Sequence, residues 1–225
     1  MKVQSGGTVA RGAGSKQNKR EAILEAAVRT FAEKGYFASR MHDVARSAGV
    51  ADGTLYLYFS SKESLLTAIL EEYARAFVER AERDARRLPS PKEQLRAVLE
   101  RHLVSLEQNR DLATVFQIEL RRSRKFLRAV AKGQLAAYLD LLQRIVTAGI
   151  QQGLFRQNLD PRVAARAIFG AVDELVTTWV LSQRPRGLRE QLEPLLDMLL
   201  FGLCQKQDHG VVEKGGDHEH AHNFA

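Results

Sequence analysis

The sequence predicts an all-α protein in two parts: a small three-helix unit followed by a larger helical domain. Three observations predict it. Apolar residues recur at three- and four-residue spacing along most of the chain. Sustained two-residue alternation and β-branched clusters, which would mark strands, are missing. Cap and breaker residues stand where such helices would start and stop. A length of 225 residues suits a small domain plus a larger one.

In chain order, residues 1–17 mix Gly, Ser, Lys and Arg without apolar periodicity and read as a flexible basic arm. Lys2, Arg11 and Lys16 lie there, with no acidic residue before Glu21. Ile23, Leu24, Ala27, Val28 and Phe31 then form one helical face, with Gly35 as its stop. Ser39 is placed to cap a short helix carrying Met41, Val44, Ala45 and Ala48, which ends at Gly49. A second short helix spans Thr54 to Phe59. Ser61 caps a long helix from Lys62 to about Leu88, with Glu63 in its first turn, where the helix dipole favours an anion. Pro89 and Pro91 break it. Further helices are predicted over 91–108, 111–122, 124–152, 160–183 and 187–206, with Asp160-Pro161 as N-cap and first residue of the fourth of these. The organisation that follows is 1–17 arm, 18–63 small domain, 64–206 larger domain and 207–225 tail.

Composition excludes several classes. A net charge of +7 favours an acidic partner, nucleic acid or an anionic surface. Cys204 is alone, so neither an intrachain disulfide nor a cysteine zinc cluster can form. The amino terminus has no apolar signal segment, and the most apolar run, Leu195 to Cys204, is far short of the roughly 20 residues that span a bilayer. A soluble cytoplasmic protein is expected. His209, His218, His220 and His222 lie in the tail, but without a rigid scaffold no metal site is expected there. No Gly-rich phosphate loop, nucleophile elbow or metal-ligand spacing appears before the tail, and His42 and His102 have no evident companions. Neither an enzyme nor a cofactor is expected.

The segment SRMHDVARSAGVADGTLYLYFSSKESL, Ser39 to Leu65, carries the chemistry. Two short helices around a tight turn at Gly49 are helix-turn-helix geometry. Val44, Ala45, Val50, Leu55 and Phe59 are spaced to pack inward. That leaves Asp52, Gly53, Thr54, Tyr56, Leu57 and Tyr58 outward, a face that fits a major groove roughly 12 Å wide.

The run GVADGTLYLYFSSKESL resembles the signature of the TetR family of repressors, in which a helix-turn-helix precedes a helical ligand domain. The resemblance implies that Ser39 bonds a phosphate and that Arg40 approaches a phosphate or a base edge. It also implies that Thr54, Tyr56, Tyr58 and Lys62 clamp the backbone, and that Asp52, Gly53 and Leu57 lie nearest the bases. Packing accounts for Leu55 and Phe59. For Tyr56 and Tyr58 it is the weaker reading, and Gly53 has the bland alternative of a turn residue. Asp52 either caps the recognition helix or accepts from a cytosine amine, with capping favoured.

One such unit is too small to span a useful operator, so a homodimer is expected. Leu188, Leu192, Leu195, Leu196, Leu199, Leu200 and Leu203 form a wide stripe extended by Met198 and Phe201. Ile168, Ala171, Val172, Leu175 and Trp179 form another, so a four-helix interface between subunits is predicted, with a purely internal core as the alternative.

QIELRRS (Gln117 to Ser123), YLDLLQRIVTAGIQQGLF (Tyr138 to Phe155) and RAIFGAVDELVTTWVL (Arg166 to Leu181) resemble the TetR-type fatty-acid-degradation repressors. The resemblance implies release from DNA by long-chain acyl-CoA. The residues allow it: Leu103, Leu106, Val115, Phe116, Leu120, Leu142, Phe169 and Trp179 could wall an apolar tunnel. Arg121, Arg122, Arg124, Lys125 and Arg128 could hold phosphates bidentately, or form a solvated basic turn. Asp173 and Glu174 interrupt an apolar helix, so one of these arginines or a ligand should compensate them. A drug or free fatty acid is the alternative effector, and a drug site would carry acidic and aromatic residues.

Overall fold

The computed structural model describes residues 9–122 and 133–203, with side chains from Lys16 to Arg122 and from Gly133 to Phe201. Among them are nine α-helices and no strand. They are α1 (Val9–Lys34), α2 (Met41–Ala48), α3 (Asp52–Tyr58), α4 (Lys62–Arg86), α5 (Pro91–Glu107), α6 (Arg110–Thr114), α7 (Gln134–Gln151), α8 (Pro161–Leu181) and α9 (Leu192–Leu203). Arg124, Lys125, Arg128 and the histidine-bearing tail lie outside the described residues.

Local chemistry explains most boundaries. Gly49 ends α2 in the left-handed conformation, φ 66°, where its amide reaches back to the carbonyls of Ala45 and Arg46. Ser61 Oγ accepts from the Ser64 amide at 3.0 Å while Ser64 Oγ returns a bond to Ser61, so α4 starts as expected. Asp160 accepts from the amides of Arg162 and Val163 ahead of α8, with Pro161 as its first residue.

Four expectations are corrected. Helix α1 starts at Val9, so the basic arm is helical from there on. Arg40, not Ser39, is the N-cap of α2, and Asp43 closes the turn by accepting from the Arg40 amide at 2.9 Å. Asp52 is the first residue of α3 rather than its cap, which is Ala51. The predicted helix over 111–122 is regular only to Thr114. It widens into a π-helical turn at Val115–Glu119 and tightens into a 3-10 turn at Leu120–Arg122.

Two apolar cores result. Ile23, Phe31, Val44, Leu55, Phe59, Leu65 and Ile69 fuse α1 to α4 into one unit, and Leu112, Val115 and Leu120 join it from the stretch after α5. The second core holds Leu95, Leu99, Leu103, Leu142, Phe155, Ile168, Val172, Leu188 and Leu196. Each such side chain contributes roughly 1.5–3 kcal/mol on burial, so both units are apolar-driven. No helix among the described residues is long and apolar enough to cross a membrane.

Candidate functional site

The reading face of α3 presents residues that the core does not need. Leu57 is 84% exposed and Tyr56 53% exposed, although both are apolar or largely so. Gly53 sits inside the helix, and a β-carbon added there would meet nothing within 4 Å. The fold therefore does not require glycine at this position, and the turn-residue reading is corrected. Asp52 turns sideways to His42 of α2, whose Nδ1 lies 3.0 Å from Oδ2. Arg40 is exposed, and Thr54 is half-buried. Tyr58 is half-buried against the small core, so packing claims more of it than the sequence suggested.

Two expected phosphate contacts are placed otherwise. Ser39 is buried; its hydroxyl donates to the Gly35 carbonyl at 2.6 Å and its amide to the same oxygen at 3.1 Å. Its expected direct phosphate bond is therefore corrected: both donors are spent inside the fold. Lys62 Nζ donates to the carbonyls of Tyr36 (2.6 Å), Phe37 (3.1 Å) and Ser39 (2.7 Å), and lies 4.7 Å from the Tyr36 ring centre. Burial holds its ammonium below the usual lysine range. In the free protein Lys62 staples the α1–α2 loop to the start of α4.

Beneath the small unit lies a cavity of about 1220 Å³. It exceeds the roughly 300–1,000 Å³ of ordinary small-molecule clefts, so it suits a large ligand. Of the residues expected to wall it, Leu106, Phe116, Leu120, Arg121, Phe169 and Asp173 do. Leu103, Val115, Leu142 and Trp179 do not, and are corrected to core packing. Trp179 instead stacks under Arg110, whose guanidinium is 4.5 Å from the ring and caps α8 through the carbonyls of Trp179, Val180 and Ser182. Arg122 turns away, 5.5 Å over the Phe37 ring.

The expected compensation of Asp173 is present: Arg121 forms an ion pair with it, and Gln117 Nε2 donates to its other oxygen at 3.0 Å. Gln117 Oε1 in turn accepts from Arg121 at 2.7 Å and from Thr177 at 3.1 Å. Glu174 is exposed and accepts from Thr178.

Sequence reasoning missed an aromatic wall. Phe77, His102, Tyr138 and Phe169 meet with ring centres 5.2–6.5 Å apart, and His102 Nδ1 lies 3.0 Å from the Tyr138 hydroxyl. Phe77 sits on α4, from which the sequence offered no cavity residue, and the companion of His102 is 36 residues away. Burial pushes the imidazole down to about 4, with Asp173 pulling the other way, and pushes the Tyr138 phenol up. Both groups are neutral at pH 7, so this part of the wall carries no charge.

Neutral His102 carries a pH signature. The unfolded chain titrates near 6.5 and the folded one near 4, so below 6.5 only the unfolded chain takes up the proton. The stability is whole above pH 6.5 and is lost as pH falls to 4, by roughly 3 kcal/mol at 1.36 kcal/mol per pKa unit. Urea unfolding of wild type and His102→Phe should therefore differ by that much more at pH 6.5 than at pH 4. A pH-independent difference would mean that folding leaves the proton affinity of the imidazole unchanged.

Known proteins share this architecture. The pattern described as "Bacterial regulatory proteins, tetR family" matches residues 23–69, and that described as "YsiA-like protein, C-terminal region" matches residues 70–202. The chain is 40% identical over 191 residues to the fatty acid metabolism regulator protein of Bacillus subtilis (strain 168), covering 85% of this chain and 98% of that one. It is 28% identical over 200 residues to the transcriptional repressor KstR2 of Mycolicibacterium smegmatis, covering 84% and 93%. Among solved structures, the fatty acid degradation regulator FadR of Bacillus halodurans superposes with a TM-score of 0.78 at 35% identity, over 89% of this chain and 98% of that one. FadR of Bacillus subtilis, in complex with stearoyl-CoA, superposes with a TM-score of 0.77 at 39% identity, over 81% and 98%. A helix-turn-helix unit seated on a cavity-bearing helical domain, matched over 23–69 and 70–202 by the two family patterns, places the chain in the tetR family of bacterial regulatory proteins, in the group with the YsiA-like C-terminal region.

Proposed function

We propose that this protein represses fatty-acid degradation genes and is released from a pseudo-palindromic operator by long-chain acyl-CoA. The observation that carries the reading is the cavity: large, walled by neutral aromatic side chains, and edged by Arg75, Arg80, Arg101 and Arg121. An acyl chain needs the first feature and phosphates need the second. The Bacillus subtilis relative solved with stearoyl-CoA supports the same ligand class.

On the DNA side, Arg40, Thr54, Tyr56 and Tyr58 position the backbone, while Gly53 and Leu57 lie nearest the bases. The unit over 18–63 reads the duplex, and the domain over 64–206 binds effector and pairs with a second copy through α8 and α9. Exposed Val163, Leu181, Met198 and Phe201 support that pairing. The buried positions Leu188, Leu192, Leu195 and Leu196 belong to the subunit's own core.

A second reading has one observation behind it. Glu21, Glu25 and Glu72 line the same cavity from α1 and α4, and with the aromatic wall they would suit a lipophilic cation. Release of labelled operator separates the two. Stearoyl-CoA should act at concentrations at least tenfold below stearate, CoA alone or a quaternary ammonium of equal chain length. Equal potency of stearate, or greater potency of the cation, would overturn the acyl-CoA reading.

A further inference from the structure

The stretch after α6 faces two ways, and its geometry is unusual where it does so. At Val115–Glu119 the helix widens by one residue into a π turn, a form that is rare and often marks functional sites. On one side Gln117 and Arg121 enter the cavity and hold Asp173 of α8. On the opposite side the Glu119 carboxylate, 5% exposed, accepts from the Tyr36 amide at 2.7 Å. Gly35, at φ 79°, lies directly against it: a β-carbon there would be in ordinary contact with both carboxylate oxygens at 3.6 Å, so the left-handed backbone, and not space, calls for glycine.

The loop that Glu119 grips is the one that aims the recognition unit. Gly35, Tyr36 and Phe37 connect α1 to Ser39 and Arg40, where α2 begins, and Lys62 bonds three carbonyls of the same loop. Arg122 completes the grip, 3.9 Å from Glu119 and stacked on Phe37. A carboxylate this buried is not interchangeable with packing, because losing the Tyr36 amide removes its close hydrogen bond and leaves only the longer ion pair with Arg122. Any displacement of the π turn therefore drags the loop or breaks a costly bond.

We infer that Glu119 is a positioning residue for DNA reading: its bond to the Tyr36 amide transmits displacement of the cavity wall at Gln117 and Arg121 to α2 and α3. The inference rests on the cavity being the effector site, and deepens that reading by naming the bond through which occupancy reaches the helix-turn-helix. A ligand anion that draws Arg121 off Asp173 shifts the π turn, and the Glu119 contact converts that shift into a tilt of the recognition unit.

The test uses the full chain and an operator selected from random duplexes by the wild-type protein. Two quantities are measured for wild type, Glu119→Ala and Glu119→Gln: the affinity for stearoyl-CoA without DNA, and the ratio of operator Kd with and without saturating stearoyl-CoA. Glu119→Ala should keep its stearoyl-CoA affinity within threefold while its ratio falls at least tenfold below wild type. Glu119→Gln, which retains an acceptor for the Tyr36 amide, should recover most of the ratio. A merely structural role would not separate binding from response in this way, because coupling between sites is a quantity of its own. If Glu119→Ala does not fold, Glu119→Met, which fills the space without a comparable acceptor, replaces it. An unchanged ratio in a folded variant overturns the inference.

A second arm needs no effector. Operator Kd values for Asp173→Asn, Glu119→Ala and the double variant should depart from additivity by at least fivefold. Additivity within twofold also overturns the inference. If stearoyl-CoA neither binds nor releases the wild-type protein, the functional reading fails while this cycle still decides the role of Glu119.

Discussion

Phe201→Asp is expected to yield a folded monomer whose operator affinity is at least a hundredfold below wild type. Phe201 is 91% exposed at the end of α9, with Met198 at 59% one turn before it and Leu181 at 67% on α8. None of the described residues buries these side chains, and a charge at Phe201 is solvated in the monomer but desolvated in a pair. The fold therefore survives while association does not. The affinity loss follows from connection: two recognition units joined in one dimer gain roughly 10²–10⁴ over either alone. Sedimentation velocity checks the mass and fluorescence anisotropy the affinity. A contrasting substitution, Leu196→Asp, should unfold the chain instead, because Leu196 is 2% exposed in the subunit's own core. Wild-type protein that sediments as a monomer at micromolar concentration, yet binds its operator as tightly as ever, would rule the pairing out.

Ser105→Phe is expected to make a repressor that holds its operator but ignores its effector. Ser105 is a small, half-buried residue on the cavity side of α5, its hydroxyl turned back to the His102 carbonyl at 3.1 Å. A phenyl ring there extends into the space proposed for the acyl chain. If it displaces four methylenes, at about 0.8 kcal/mol each, about 3 kcal/mol of effector binding is lost, roughly a 200-fold rise in the concentration needed for release. Helix α5 supplies no residue to the reading face, so operator affinity without effector should stay within threefold of wild type. Operator release titrated with stearoyl-CoA reads the first number and direct binding the second. Half-release at the wild-type concentration would mean that the chain does not pass Ser105.

Much of this architecture is legible in the sequence because it is set by local rules. The αL glycine at Gly49, the Ser61 and Asp160 caps, and the apolar spacing from Ile23 to Phe31 depend on neighbours within a turn or two. The outward set on α3 follows from the same periodicity, and Leu57 and Tyr56 are exposed as it requires. Local rules fail where two candidate residues compete or where a helix leaves the α form. Ser39 and Arg40 are adjacent, and which one caps α2 is decided by Ser39 bonding back to Gly35 and Thr30. Asp52 is drawn from capping by His42, ten residues earlier.

The cavity was the less legible half. Leu103, Val115, Leu142 and Trp179 are as apolar as Leu106, Phe116 and Phe169, and periodicity cannot tell a residue that fills a core from one that borders a void. His102 and Tyr138 lie on α5 and α7, and only the packing of those helices makes them partners.

Sequence by itself determined the helical class, the helix-turn-helix with Tyr56 and Leu57 outward, and the need of Asp173 for compensation by an arginine or a ligand. Each follows from short-range spacing or from the cost of an uncompensated charge. Tertiary structure alone decided which arginine answers Asp173, which apolar side chains border the cavity, and that Glu119 grips the Tyr36 amide across 83 residues of chain. The physical reason is range: caps and faces are fixed by bonds a few residues long. Cavities and cross-domain bonds arise from where separate helices come to rest against one another.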